Sequence, residues 1–149
     1  MVLIPPPPYT DVDANCCDIT RPVPLGKKID LIASGEDPES GMSHLNISAG
    51  YILWCKATDQ SSNEQYDEVG LLTLADVDPT PPGQPRRGVL IAQGSVRLKD
   101  FENKCREGFF VDFYQVSLRA TATNGLSLYS RTKEIELVEL KQWATTLPD

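Results

Sequence analysis

Residues 109–140 read FFVDFYQVSLRATATNGLSLYSRTKEIELVEL, and no other stretch narrows the possible folds as far. Val116, Leu118, Ala120 and Ala122 alternate with Ser117, Arg119, Thr121 and Thr123. A period of two belongs to a strand with one face in a core and the other in water. Asn124-Gly125 follows, and a type I′ turn favours such a pair because both of its central residues need positive φ. Ile135 and Leu137 then alternate with Glu134 and Glu136, so a second strand is expected to return antiparallel to the first. A long β-hairpin is predicted here.

The rest of the chain reads as short strands separated by turn chemistry. Residues 27–34 alternate Ile29, Leu31 and Ala33 with polar or mixed neighbours. Residues 35–41, GEDPESG, form a turn by composition, since Pro38 presets φ and glycines bracket acidic residues. Residues 43–57 are long for one strand, and Gly50 is expected to split them by a bulge or a bend. A polar loop is expected at 58–68, a strand at 69–75, and a proline-rich loop at 76–87 that cannot be a central strand. A further strand is expected at 88–99 with a bulge at Gly94, then a helix of at most two turns closed by Gly108. Trp143 in the tail is expected to pack back on the body. Six to eight short strands with no long helix predict an all-β fold, a sandwich or a barrel.

The first 25 residues hold Pro5, Pro6, Pro7 and Pro8, followed by Tyr9, with Pro22 and Pro24 beyond. Consecutive prolines fix φ and donate no hydrogen bond, so they make a stiff polyproline II segment. Residues 1–25 are therefore expected to be an extended arm, and 26–149 a single body of a size one domain accommodates. Such an arm can lie along a neighbouring subunit, where its stiffness lowers the ordering cost of binding. Pro5–Pro8 and Tyr9 are its candidate contact residues.

The formal charge of −7 argues against a sequence-independent grip on nucleic acid or anionic lipid, which both want clustered Lys and Arg. Arg86-Arg87 is a basic pair too small to make a patch, and it reads as a gatekeeper beside a strand. No stretch approaches a membrane span, and the first residues lack the basic start and apolar run of a secretory signal. Cys16, Cys17, Cys55 and Cys105 are poorly spaced for a disulfide framework or a zinc site. Reduced thiols are expected, with Cys55 buried in a strand.

Little in the chain suggests catalysis. His44 is the only histidine and has no GxSxG partner nearby. Acidic pairs in loops are ordinary turn residues, and no phosphate loop or dinucleotide fingerprint occurs. Asp37, Asp76 and Asp78 are hard oxygen ligands and weak calcium candidates, without an EF-hand loop. Asn46-Ile47-Ser48 fits a glycosylation sequon. No cofactor and no enzymatic activity are expected.

Two stretches resemble bacterial immunoglobulin-like and fibronectin type III-like domains. In residues 29–47, Asp37, Pro38, Ser40 and Gly41 stand where such domains have the turn that joins their two sheets. In residues 113–130, Tyr114, Val116, Leu118, Ala120 and Gly125 resemble the family's F–G hairpin, with Tyr114 at the tyrosine-corner position and Asn124-Gly125 at the turn. The antibody-type Cys–Trp–Cys set is absent. The resemblance implies an immunoglobulin-like antiparallel sandwich of about seven strands, whose work is binding or assembly. The reading preferred from sequence is a virion component of a tailed phage, decorating a capsid or tail and binding neighbouring subunits, possibly copies of itself, through the arm. The alternative is an adhesion or carbohydrate-binding module of a bacterial surface or secreted system. There the loops at 36–41 and 76–87, or an aromatic platform of Tyr51, Trp54 and Tyr66, would meet a glycan.

Overall fold

The computed structural model describes residues 8–15, 23–37, 41–59, 61–78, 89–124 and 130–138. They form seven strands: β1 Tyr9–Ala14, β2 Ile29–Glu36, β3 Met42–Ala57, β4 Gln65–Val77, β5 Val89–Val96, β6 Phe109–Asn124 and β7 Ser130–Val138. A short 3₁₀ helix, Leu98–Lys104, joins β5 to β6. Every pairing is antiparallel, in one sheet ordered β1-β2-β5 and a second ordered β4-β3-β6-β7. The two sheets pack face to face as an all-β sandwich.

The alternation seen in the sequence accounts for the packing. Ile29, Leu31 and Ala33 of β2 and Leu90, Ala92 and Val96 of β5 turn inward from one sheet. Leu45, Ile47, Leu53, Val116, Leu118 and Leu137 meet them from the other. Alanines 33, 49, 92, 120 and 122 are also buried and allow close approach of the sheets. Each large aliphatic side chain removed from water contributes about 1.5–3 kcal/mol. Phe101 of the 3₁₀ helix closes one end of this core, its ring 5.2 Å from that of Tyr51. Asp100 holds the start of that helix by accepting the Arg97 backbone N–H at 2.8 Å.

Several local expectations need correction. Residues 9–14, expected within an extended arm, are a strand paired with β2, and Pro8, Val12, Val23 and Leu25 are buried. An apolar side chain at every such position gains more from the core than an extended arm offers it. Pro5, Pro6 and Pro7 lie outside the described residues, as do Cys16, Cys17, Arg86, Arg87 and Trp143.

The hairpin of β6 and β7 is present, but its last pair among the described residues is Thr123↔Ser130. A two-residue turn at Asn124-Gly125 would instead pair Thr123 with Leu126, so this register excludes it. Register follows the inward set Val116, Leu118 and Ala120 against Ile135 and Leu137, and that outweighs the local turn preference. Gly50 does not split β3, which runs unbroken for 16 residues. Gly94 sits in an uninterrupted ladder with Leu31, so it is no bulge. Residues 65–68 belong to β4 rather than to a polar loop, because β3 supplies partners as far as Lys56.

Cys55 is not a reduced thiol. It forms a disulfide with Cys105, which lies just past the 3₁₀ helix, with the two Cα atoms 5.8 Å apart. The spacing of 50 residues hid the pair in the sequence. Folding brings the end of β3 alongside the entry to β6 and makes them neighbours.

Candidate functional site

The outer face of the four-stranded sheet carries what the core does not use. In β3 the inward set Tyr51, Leu53 and Cys55 forces Ile52, Trp54 and Lys56 outward. Cross-strand register then assigns their neighbours. Trp54 lies between Asp67 of β4 and Phe113 of β6, Lys56 between Gln65 and Phe110, and Ile52 between Val69 and Gln115. The Trp54 and Phe113 rings are 4.8 Å apart between centroids and tilted by 43°.

A register shift adds one more group. Trp54 pairs with Phe113 and Cys55 with Val111, so Asp112 is the extra residue of a bulge in β6. Phe113 faces outward opposite Trp54 and Val111 faces the core, and the bulge allows Asp112 to join the outer face beside them. Bulges re-aim side chains in this way. The result is an open concavity of about 450 Å³, walled by Trp54, Lys56, Gln65, Tyr66, Asp67 and Asp112. The Trp54 side is 40% exposed, enough to present an indole face to a ligand.

The floor of this concavity is held firmly. The Cys55–Cys105 bridge lies at it, since Cys55 contributes to the lining. Tyr66 packs edge-on against Phe109 at 5.1 Å, and the Arg106 guanidinium sits 4.1 Å above the Tyr66 ring. The Arg106 backbone N–H donates to the Tyr66 hydroxyl at 2.5 Å. Further along the same face Ile52, Val69 and Leu71 form an apolar stripe, with Val69 67% and Leu71 61% exposed. Beyond it the Arg119 guanidinium lies over Gly50, its Nε 3.0 Å from a Glu134 carboxylate oxygen. Gly50 thus makes room for an arginine rather than ending a strand.

Of the expected aromatic platform, only Trp54 stands as foreseen. Tyr51 is 9% exposed and belongs to the core, and Tyr66 is half-buried beneath Arg106. Phe113 takes their place. Asp112, Asp67 and Phe113 were not singled out from sequence, because only the register and its bulge put them beside Trp54.

The calcium candidates part company. Asp76 and Asp78 converge on His44, with Asp76 Oδ1 2.5 Å from Nε2 and Asp78 Oδ1 2.8 Å from Nδ1. The Asn46 amide also donates to Asp76, at 3.3 Å, so the sequon asparagine is engaged within the sheet and Ser48 is buried. Asp37 is buried in the β2–β3 connection, where its carbonyl accepts the Gly41 N–H at 2.9 Å. Gly41 has φ of 70°, the left-handed region that glycine tolerates. No group of three His, Cys, Asp or Glu side chains able to hold a metal ion occurs among the described residues.

Tyr114 and Asn124, among the remaining expected positions, serve the fold. Tyr114 points inward opposite Leu53 and is buried, and Asn124 ends β6 opposite Met42, with Gly125 outside the described residues. Tyr9 opens β1 opposite Glu36 and is exposed.

No family model matches the chain, and no curated protein matches it. Among solved structures, a FixG-related protein from Vibrio parahaemolyticus is similar, with 9% sequence identity and a TM-score of 0.41 over 90% of this chain and 97% of that one. A likeness at that level carries no argument about function.

Proposed function

We propose that this chain is a non-enzymatic binding module of a bacterial surface or secreted system, and that it binds carbohydrate in the Trp54 concavity. The observation that carries the reading is an exposed indole set among polar side chains that can donate to and accept from hydroxyls: Lys56, Gln65, Asp67 and Asp112. Sugars present apolar C–H faces to an aromatic ring and hydroxyls to its rim, and sites for small ligands combine an apolar surface with a few placed polar groups. The Cys55–Cys105 bridge supports an oxidising setting outside the cytosol.

The strand order supports the immunoglobulin-like resemblance. In that family's lettering β1-β2-β5 would be A-B-E, and β4-β3-β6-β7 would be C′-C-F-G. The binding test is a glycan array followed by calorimetry. Saturable binding that Trp54→Ala abolishes, with the variant still cooperatively folded, is expected. Binding to no glycan class, or binding indifferent to Trp54, would end this reading.

The virion reading is second, and one observation keeps it: Val69 and Leu71 are exposed on β4, an edge strand. An exposed apolar stripe can serve as a contact with protein subunits. An arm over residues 1–25 supports this reading less, because β1 and the buried Val23 and Leu25 belong to the sandwich. Val69→Ser with Leu71→Ser should then prevent incorporation into particles. Particles assembling normally with the double variant would sink it.

A further inference from the structure

We infer, resting on the carbohydrate reading, that the Trp54 concavity selects a saccharide bearing a free protonated amine, such as a deacetylated amino-sugar oligomer. Asp67 on β4 and the bulged Asp112 on β6 stand on the two strands that flank β3, one on either side of Trp54. Neighbouring strands are about 4.8 Å apart, so the two carboxylates are carried on backbones about 10 Å apart with the indole between them. Among the described residues of the lining, Lys56 is the one cation, against the two carboxylates of Asp67 and Asp112.

Three effects then favour an ammonium over a neutral group at the same place. The indole face attracts a cation through its quadrupole. A carboxylate forms a stronger hydrogen bond with an ammonium than with a hydroxyl. The chain's net charge of −7 concentrates cations at its surface. Each carboxylate has about four acceptor positions, so it can keep a contact within the protein and still receive an ammonium. The bulge is the feature that makes this selectivity specific. Without it β6 would present Phe113 alone beside Trp54, and one carboxylate would be missing from the rim.

The experiment compares four probes by calorimetry on the intact chain: a β-1,4-linked glucosamine tetramer, its fully N-acetylated counterpart, a β-1,4-linked glucose tetramer, and tetralysine. The glucosamine tetramer should bind most tightly and weaken with salt. Asp112→Asn and Asp67→Asn should each weaken it about tenfold or more and weaken the two neutral tetramers far less, because an amide oxygen still accepts from a hydroxyl but no longer carries the charge an ammonium pairs with. Lys56→Gln should strengthen it, a change that a structural role for Lys56 would not produce. Thermal unfolding of each variant checks that it is folded, and Lys56→Gln tests the idea even where an aspartate variant fails to fold.

If all three saccharides bind alike and the aspartate variants affect them equally, the amine preference is overturned and the carbohydrate reading survives. If no saccharide binds, both fall. Tetralysine binding as tightly as the glucosamine tetramer would also overturn the inference, because the site would then be a general cation site.

Discussion

Trp54 and Phe113 face each other across the β3–β6 ladder, with ring centroids 4.8 Å apart. The next pair along the same ladder, Cys55↔Val111, turns the other way into the core, and Cys55 there is tied to Cys105. One step of the pleat therefore separates an outward-facing aromatic pair from a covalent clamp.

Removing the second ring should loosen the first. Phe113→Ala is expected to cost about 0.5–1.5 kcal/mol beyond lost burial, the usual worth of an aromatic pair. It should also weaken saccharide binding by giving the indole more freedom. Chemical denaturation measures the first effect and calorimetry the second. An unchanged denaturation midpoint would show that the ring contact contributes nothing.

The disulfide closes a loop of 50 residues, which in the chain-entropy account corresponds to about 4 kcal/mol. Cys55→Ala with Cys105→Ala should lower stability by about 2–4 kcal/mol, and a reducing agent should do the same to the native chain. Equilibrium unfolding in denaturant, with and without reductant, is the measurement. Identical midpoints in both conditions would contradict the bridge.

Gly70 is opposite Tyr51 in the β3–β4 ladder, and a Cβ there would collide with the Tyr51 hydroxyl. Gly70→Ala is therefore expected to destabilise by about 1–3 kcal/mol, as overpacking does. In the background of Tyr51→Leu the same change should be nearly neutral, so the pair should show strong coupling in a double-mutant cycle. Additive costs would mean that the glycine is needed for some other reason.

Asp59 accepts from the Ser61 hydroxyl at 2.8 Å and from the Ser61 backbone N–H at 3.0 Å. Those bonds, the hydroxyl first, hold its carboxyl below the ordinary carboxylate range. A lowered folded-state value contributes stability above the unfolded-state value, and that contribution fades as pH falls through the folded one. NMR titration of the Asp59 carboxyl should show the low midpoint, and Ser61→Ala should move it upward. No movement in the variant would refute the assignment.

How much of this was legible in the chain differs from feature to feature. The alternation of Val116, Leu118 and Ala120 with Ser117 and Arg119 is a local signal, and β6 follows it residue by residue. Trp54 on the outer face follows from the same logic within β3, since Leu53 and Cys55 must face inward. The tight turn suggested by Asn124-Gly125 was local too, yet the pairing of β6 with β7 overrode it.

By itself the sequence determined most of the strands, their buried faces and the all-β class, because alternation acts within a few residues of chain, whereas β1 escaped it. Tertiary structure decided which strands are neighbours. It thereby decided that Asp67 and Phe113 flank Trp54, that a bulge brings Asp112 to the rim, and that Cys55 meets Cys105. Contacts between residues far apart in the chain depend on the register in which two buried faces fit. That fit is a property of the packed sheets, and no short stretch of sequence carries it.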